Sequence, residues 1–380
     1  MTNTIHTHVY LVSAQATPNV TPALDLSLRP KRVILLVSKD MQARADWLEQ
    51  VLKEATGVDV SRWLIDHPWD IEHIQTRMME LLEHYQNESL ALNATGGTKP
   101  MSIAAYETFR AYELPIFYVH PEKDQVVWLY PTGWPRHELA DRISIRHYLM
   151  AYGSQVLSKG SPNIPSGYQE IAEDLIRDIE YFSSALGVLN YFANTAERTL
   201  TSKPLGQGNH SAALLDLLDK LEAQGIIDGN RRRLTFSSEA ARFFANGGWL
   251  EQYVLKTINA LKRDIPEIQE TAMSLEVERG KKVRNELDVA FLADNKLHVI
   301  ECKAKNFSKP DDNSGVETLY KLDSLTDVLG GMQARSLLIS YKPLRGADQK
   351  RAGELKVQVI QEKQLQQLRS LLRQWIVQGL

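Results

Sequence analysis

The first 120 residues alternate short apolar runs with amphipathic stretches, and few architectures accommodate that rhythm. His8–Ser13, Arg32–Ser38, Val58–Ile65, Ser89–Asn93 and Leu114–Val119 have the length and apolar density of strands. Between them, Met41–Ala55, Asp70–Tyr85 and Pro100–Ala111 repeat apolar residues at spacings of three and four, as amphipathic helices do. Strands this apolar on both faces, separated by helices, predict a parallel, doubly wound sheet. Helix-start signals agree: Asp40 precedes one helical stretch, and Thr98-Lys99-Pro100 puts a proline in the first turn of another, where its missing N–H costs nothing.

A chain of 380 residues has room for two to four domains. After a strand at Val126–Tyr130 and a turn at Pro131–Pro135, the Gly- and Pro-containing stretch Gly153–Tyr168 reads as an interdomain linker. The pattern then turns helical, with Ile171–Asn194 and Ser211–Gln224, a strand-turn-strand segment from Gly225 to Phe236, and Ser238–Asn246. That order resembles a winged helix with Arg231, Arg232 and Arg233 at its tip. It reads either as a DNA-docking module or as a spacer with a solvated turn. From Trp249 onward, the order is a helix to about Lys262, strands Arg284–Ala293 and Lys296–Lys303, a polar loop Asn306–Gly315, helix Val316–Leu329, strand Ser336–Tyr341 and a terminal helix from Glu362. The expected division is a Rossmann-like α/β sensor at 1–152, a winged-helix-like helical spacer at 169–248 and a restriction-endonuclease-like α/β domain at 249–380.

Several classes drop out. The longest apolar runs are five residues, against the roughly 20 a membrane helix needs. One cysteine permits no internal disulfide, and the N-terminus has no signal-like apolar core, so a cytoplasmic location and no membrane partner are expected. Net charge is −4 over residues 1–150 and +1 over the remainder, too even to announce a nucleic-acid partner by itself. The ten histidines form no zinc-type cluster.

Two short segments carry chemistry. The first, Asn93-Ala-Thr-Gly-Gly-Thr-Lys99, joins an expected strand to an expected helix. Paired glycines let successive backbone N–H groups face an oxyanion at the positive end of the helix, or they simply make a tight turn. Position favours the ligand. In a doubly wound sheet, ligands gather at the carboxyl edge where strand order reverses, and Ser13, Ser38 and this loop end strands on that rim.

With its serine-ended first strand, Asn93-Ala-Thr-Gly-Gly-Thr-Lys-Pro-Met101 resembles the CARF (CRISPR-associated Rossmann fold) sensor domains that bind cyclic oligoadenylates. The resemblance covers residues 1 to about 150. It implies that Ser13, Ser38, Thr95, Gly96, Gly97, Thr98 and Lys99 contact the messenger, and that a homodimer holds the ring on its two-fold axis.

The second segment is Asn285–Lys303. A two-residue turn at Asp294-Asn295 pairs Ala293 with Lys296, sets Asp288 opposite Glu301 and Glu286 opposite Lys303, and leaves all four on one face. Facing like charges in otherwise apolar strands repel. A divalent cation such as Mg²⁺ or Mn²⁺ resolves the conflict; a salt-bridged hairpin is the plainer alternative.

Asp288 followed by Glu301-Cys-Lys303 resembles the PD-(D/E)XK nuclease superfamily, with Leu287 where the signature has proline. The resemblance implies a metal-dependent phosphodiesterase. Asp288, Glu301 and the main-chain carbonyl of Cys302 would hold Mn²⁺ or Mg²⁺, Lys303 would assist at the phosphate, and Glu286 and Glu251 would support them. Gln333 and Lys321, expected on the following helix, are further phosphate contacts or plain surface residues, and the Cys302 thiol is expected in the core. Together, the resemblances imply an ancillary nuclease of type III CRISPR antiviral defence, activated by cyclic oligoadenylate, with tetra-adenylate the family's ring size and RNA and/or DNA the substrate. The rival is a ligand-responsive CARF and winged-helix transcription regulator with an inert nuclease-like domain.

Overall fold

The computed structural model describes residues 5–160, 164–206, 211–228, 232–280, 283–304 and 314–379. Its first half alternates as the apolar runs require: β1 (Thr7–Leu11), α1 (Thr17–Leu24), β2 (Arg32–Ser38), α2 (Gln42–Thr56), β3 (Asp59–Ile65), α3 (Ile71–His84), β4 (Leu90–Asn93), α4 (Lys99–Ala111) and β5 (Ile116–His120). Then β6 (Gln125–Tyr130) and β7 (His137–Glu138) close the sheet, in the order β3-β2-β1-β4-β5-β6-β7. The first five strands run parallel and the last two antiparallel. Strand order reverses at β1, so the β1 and β4 loops flank the crevice expected of such a sheet. Local signals set the helix ends: the Asp70 and Thr98 side chains accept from the N–H groups of His73 and Met101, and Gly57 ends α2 at φ 71°.

After α5 (Ile145–Ala151), the structure corrects the expected linker. Ser154–Ser158 is a strand, β8, and it belongs to the other sheet. A helical layer follows: α6 (Ser166–Arg177), α7 (Ile179–Thr195), α8 (Ala212–Ala223) and α9 (Glu239–Phe243). Single antiparallel bridges at Ile227–Phe236 and Thr201–Thr235 stand where a wing was expected. Arg232 and Arg233 are exposed, and Arg231 lies outside the described residues.

The last part comprises α10 (Trp249–Leu261), β9 (Ile268–Arg279), β10 (Val283–Ala293), β11 (Lys296–Lys303), α11 (Ser314–Gly330), β12 (Arg335–Ser340), α12 (Gly346–Glu354), β13 (Gln358–Gln361) and α13 (Leu368–Val377). Most of the loop expected at Asn306–Gly315 falls outside the described residues. The sheet order is β13-β12-β11-β10-β9-β8. Strand β9, helix α12 and strand β13 were not anticipated, and the terminal helix begins as a 3-10 turn over Glu362–Gln367. One buried cluster joins Tyr10, Val12 and Leu35 of the first sheet to Leu275, Leu292 and Leu322 of the last part, so the two halves share a core.

Candidate functional sites

At the switch point lies a cleft of about 500 Å³. Ser13, Ser38, Thr95, Gly96, Gly97 and Thr98 line it; Lys99 is exposed at the start of α4, outside the lining. The loop fits β1 tightly. A Cβ on Gly96 would come 2.0 Å from Leu11 O, and Gly97 holds φ at +74° with its Cβ position 3.1 Å from Leu11 Cβ. The hydroxyls are partly committed to this frame. Thr95 Oγ1 donates to Asn93 Oδ1 (2.6 Å) and accepts from Val119 N (2.8 Å), while Thr98 Oγ1 donates to Pro68 O (2.7 Å). Asn93, fully buried, anchors the loop through Nδ2 to Pro18 O (2.8 Å) and Asn19 Oδ1 (2.9 Å). The loop is therefore held in place against β1 where it lines the cleft, the preorganisation an anion site needs.

In the other half, the hairpin keeps the expected register as far as Val289–Ile300, and the ladder ends before the expected pairs Asp288–Glu301 and Glu286–Lys303. Asp294 and Asn295 both take left-handed φ (51° and 52°), and the ladder runs from Ala293–Lys296 to Val289–Ile300. One step further, the Asp288 carboxylate takes the place of a ladder bond: Cys302 N–H donates to Asp288 Oδ2 at 2.7 Å. On the other flank, pairing passes from Leu287–Leu275 to Val289–Met273, and the Ser274 between them has φ 42°. Glu301 is buried and ion-paired to Lys303. Burial, then the Glu301 charge, raises the Asp288 carboxyl against the pull of Lys303. Glu251, in the first turn of α10, is raised by burial and then by Asp288 and Glu286, while the Ser274 hydroxyl, 3.4 Å away, opposes this. Burial works against the Lys303 ammonium, yet Glu301 and Asp288 hold it above its ordinary value. Glu286 is exposed and faces Glu276 of β9. The Cys302 side chain is buried in the core, and burial pushes its thiol up.

Around this hairpin the helical layer grips the exit of β11. The Asn190 amide on α7 donates to Ala304 O, and Gly247, at φ +105°, sits where a Cβ would approach Ala304 Cβ to 2.5 Å. Glu301 and Asp288 act on the Lys303 ammonium and Glu286 adds its charge to Asp288 and Glu251, with the Asp288 and Glu251 carboxyls raised by burial and mutual repulsion. Hard oxygen donors with excess negative charge fit a divalent cation.

Residues 7–148 match the family model of the Card1 CARF domain, and residues 238–378 match that of the Card1-like endonuclease domain. Over its whole length the chain is similar to protein VC1899 from Vibrio cholerae, with 34% identity, 99% of both chains covered and a TM-score of 0.92. The chain belongs to the Card1-like family of CRISPR ancillary nucleases. Can2 from Sulfobacillus thermosulfidooxidans, solved in complex with cyclic tetra-adenylate, is 31% identical to this Card1-like chain, with 98% and 99% of the two chains covered and a TM-score of 0.83. A type III CRISPR defence DNA nuclease activated by cyclic oligoadenylate shares the fold at 18% identity and a TM-score of 0.57, with 90% of this chain and 46% of that one covered. No curated protein sequence matches the chain.

One expected residue of this Card1-like protein stands elsewhere. Gln333, read as a phosphate contact or helix surface, sits in a 3-10 turn (Gly331–Gln333) that lines the sensor cleft, with Nε2 donating to Pro121 O at 2.6 Å. Lys321 is exposed on α11, the helix on which it was expected. His298 is fully buried, stacked on Phe291 at 4.6 Å, in the core rather than among the acids. Among the described residues, the carboxylates whose ligand atoms lie within 4.8 Å of one another are Asp124, Asp141 and Asp294, a group that could hold a metal. Lys296 already contributes a cation there, 2.7 Å from Asp294 Oδ2. Sequence reasoning missed that group because its members lie on the β5–β6 turn, the stretch after β7 and the β10–β11 turn, which meet only across the shared core. Among the described residues no helix is long and apolar enough to cross a membrane.

Proposed function

We propose that the protein is a metal-dependent nuclease activated by cyclic oligoadenylate, with the tetra-adenylate ring as messenger, acting in type III CRISPR antiviral defence. The observation that carries the catalytic half is the carboxylate group around Lys303, where repulsion between Asp288, Glu301 and Glu251 in a partly buried site calls for an added cation. Asp288, Glu301 and the main-chain carbonyl of Cys302 would hold Mg²⁺ or Mn²⁺, which supplies Lewis acidity for phosphodiester hydrolysis. Lys303, kept cationic by Glu301 and Asp288, offers N–H donors to the phosphate oxygen that gains charge. Glu286 acts from the exposed rim of the site and Glu251 from its buried side, through water or at a second ion.

The Gly96-Gly97 loop at the switch point and the cyclic tetra-adenylate bound by Can2 support the sensor half. A ring messenger on a two-fold axis needs a homodimer. Trp69 (74% exposed), Ile71 and Ile103 leave apolar surface beside the loop, where a second copy would cover it. The messenger activates only as far as it binds the competent arrangement better than the idle one.

The test combines purified protein, Mn²⁺ and labelled RNA, single-stranded DNA or duplex DNA, with and without cyclic tetra-adenylate, beside a Glu301→Ala control. Cleavage that needs the metal, the messenger and Glu301 is expected; chelation should abolish it. Cleavage indifferent to the messenger and to the substitution overturns the proposal.

A further inference from the structure

Helix α11 starts at Ser314, ten positions after Ala304 at the exit of the catalytic strand, and its 17 residues span about 25 Å at 1.5 Å per residue. Its far end reaches the sensor. Gly330 O accepts from Tyr148 OH at 2.8 Å, and Gly331 follows at φ +65°. Gly331 has no room for a side chain: a Cβ would lie 2.5 Å from Gln15 Oε1 and 2.9 Å from the Tyr152 ring. The same Gln15 Oε1 accepts from Met332 N–H at 3.3 Å. Two residues before it, Ser13 Oγ bonds both the N–H (3.3 Å) and the carbonyl (3.2 Å) of Gln15. The turn Gly331–Gln333 is thus latched to the segment that carries a cleft-lining serine.

Met332 has no such latch for its side chain. It is 83% exposed, yet it lines the cleft together with Met41, Met101 and Tyr118. A thioether side chain left in water on the wall of an otherwise partly apolar cavity is a surface that a flat, apolar-faced ligand would cover, and methionine adapts well to aromatic faces.

We infer that the effector half supplies one wall of the messenger cleft, with Met332 packing on a nucleobase of the bound oligonucleotide, so that occupancy is read directly by the turn that ends α11. The inference rests on the proposed reading of the cleft as a cyclic oligoadenylate site. By linkage, whatever free energy the ligand gains from Met332 depends on where α11 stands, and the position of α11 shifts with the ligand.

The experiment measures cyclic tetra-adenylate affinity by titration calorimetry on the full-length protein and on Met332→Ser and Met332→Leu. Thermal unfolding checks the fold, which an exposed side chain should leave unchanged. Met332→Ser is expected to bind at least about tenfold more weakly, about 1.4 kcal/mol, and Met332→Leu within about threefold of the parent. Equal affinity in Met332→Ser, or a loss in Met332→Leu as large as in Met332→Ser, overturns the inference. A parent protein that binds no cyclic oligoadenylate overturns the proposed function itself, which separates the two failures.

Discussion

At the scale of single residues, the acidic site and the buried histidines place opposite demands on the protein. Asp288 and Glu301 were legible as candidates because strand alternation and the two-residue turn fix which side chains share a face, whereas Glu251, on α10, came only from the family resemblance. Ser274 was not legible: its left-handed backbone next to Asp288 is set where β9 pairs with β10, and no strand was expected over 268–279 to place it there. His8 and His298 are fully buried, and burial lowers both to about 3. His298 leaves Nε2 without a partner among the described residues. Neutral in the fold, these rings take up protons in the unfolded chain below about pH 6.5, so their contribution is complete above that pH and is lost as pH falls toward 3. The loss is at most about 1.4 kcal/mol per pH unit for each ring. His298→Phe keeps an aromatic ring against Phe291 and should remove one ring's share of that slope, read by urea unfolding between pH 7 and pH 4. A slope identical to the parent's would show that the ring does not titrate this way.

Among elements, the parallel strands of the first half were readable because burial on both faces leaves continuous apolar runs. The connector at Ser154–Ser158 was not, because only the outer edge of β9 makes a strand of it: Gln155 pairs with Glu278 and Val156 with Val277. The kink before α10 was equally hidden. Gly247 reads as an ordinary helix breaker, yet its φ of +105° and its contact with Ala304 leave no space for a methyl group. Gly247→Ala should cost about 1–3 kcal/mol in backbone strain and shift the exit of β11. The expected readout is cleavage reduced much more than cyclic tetra-adenylate affinity, with urea unfolding reporting the stability change. Equal losses in both would place the effect in the fold as a whole.

For the whole molecule, what joins the halves is a set of interlocking parts rather than a tether. The hairpin turn at Asp294-Asn295 reaches into the sensor sheet: Asn295 Nδ2 donates to Asp124 Oδ2 at 2.6 Å, and Lys296 Nζ donates to Glu122 O at 2.7 Å. Strand β8 leaves the sensor and ends as an outer strand of the effector sheet. Residues 164–380 and residues 150–380 both expose the apolar face shared with the sensor, but only the former also exposes the unpaired edge of β9, so it should self-associate more strongly. Identical sedimentation of the two fragments would refute that role. Anyone grafting a foreign receptor onto this cutting module thus inherits a seam: the splice belongs ahead of Ser154, because a chimera joined at the glycine-rich stretch behind it would discard the margin that keeps the module from sticking to its own copies.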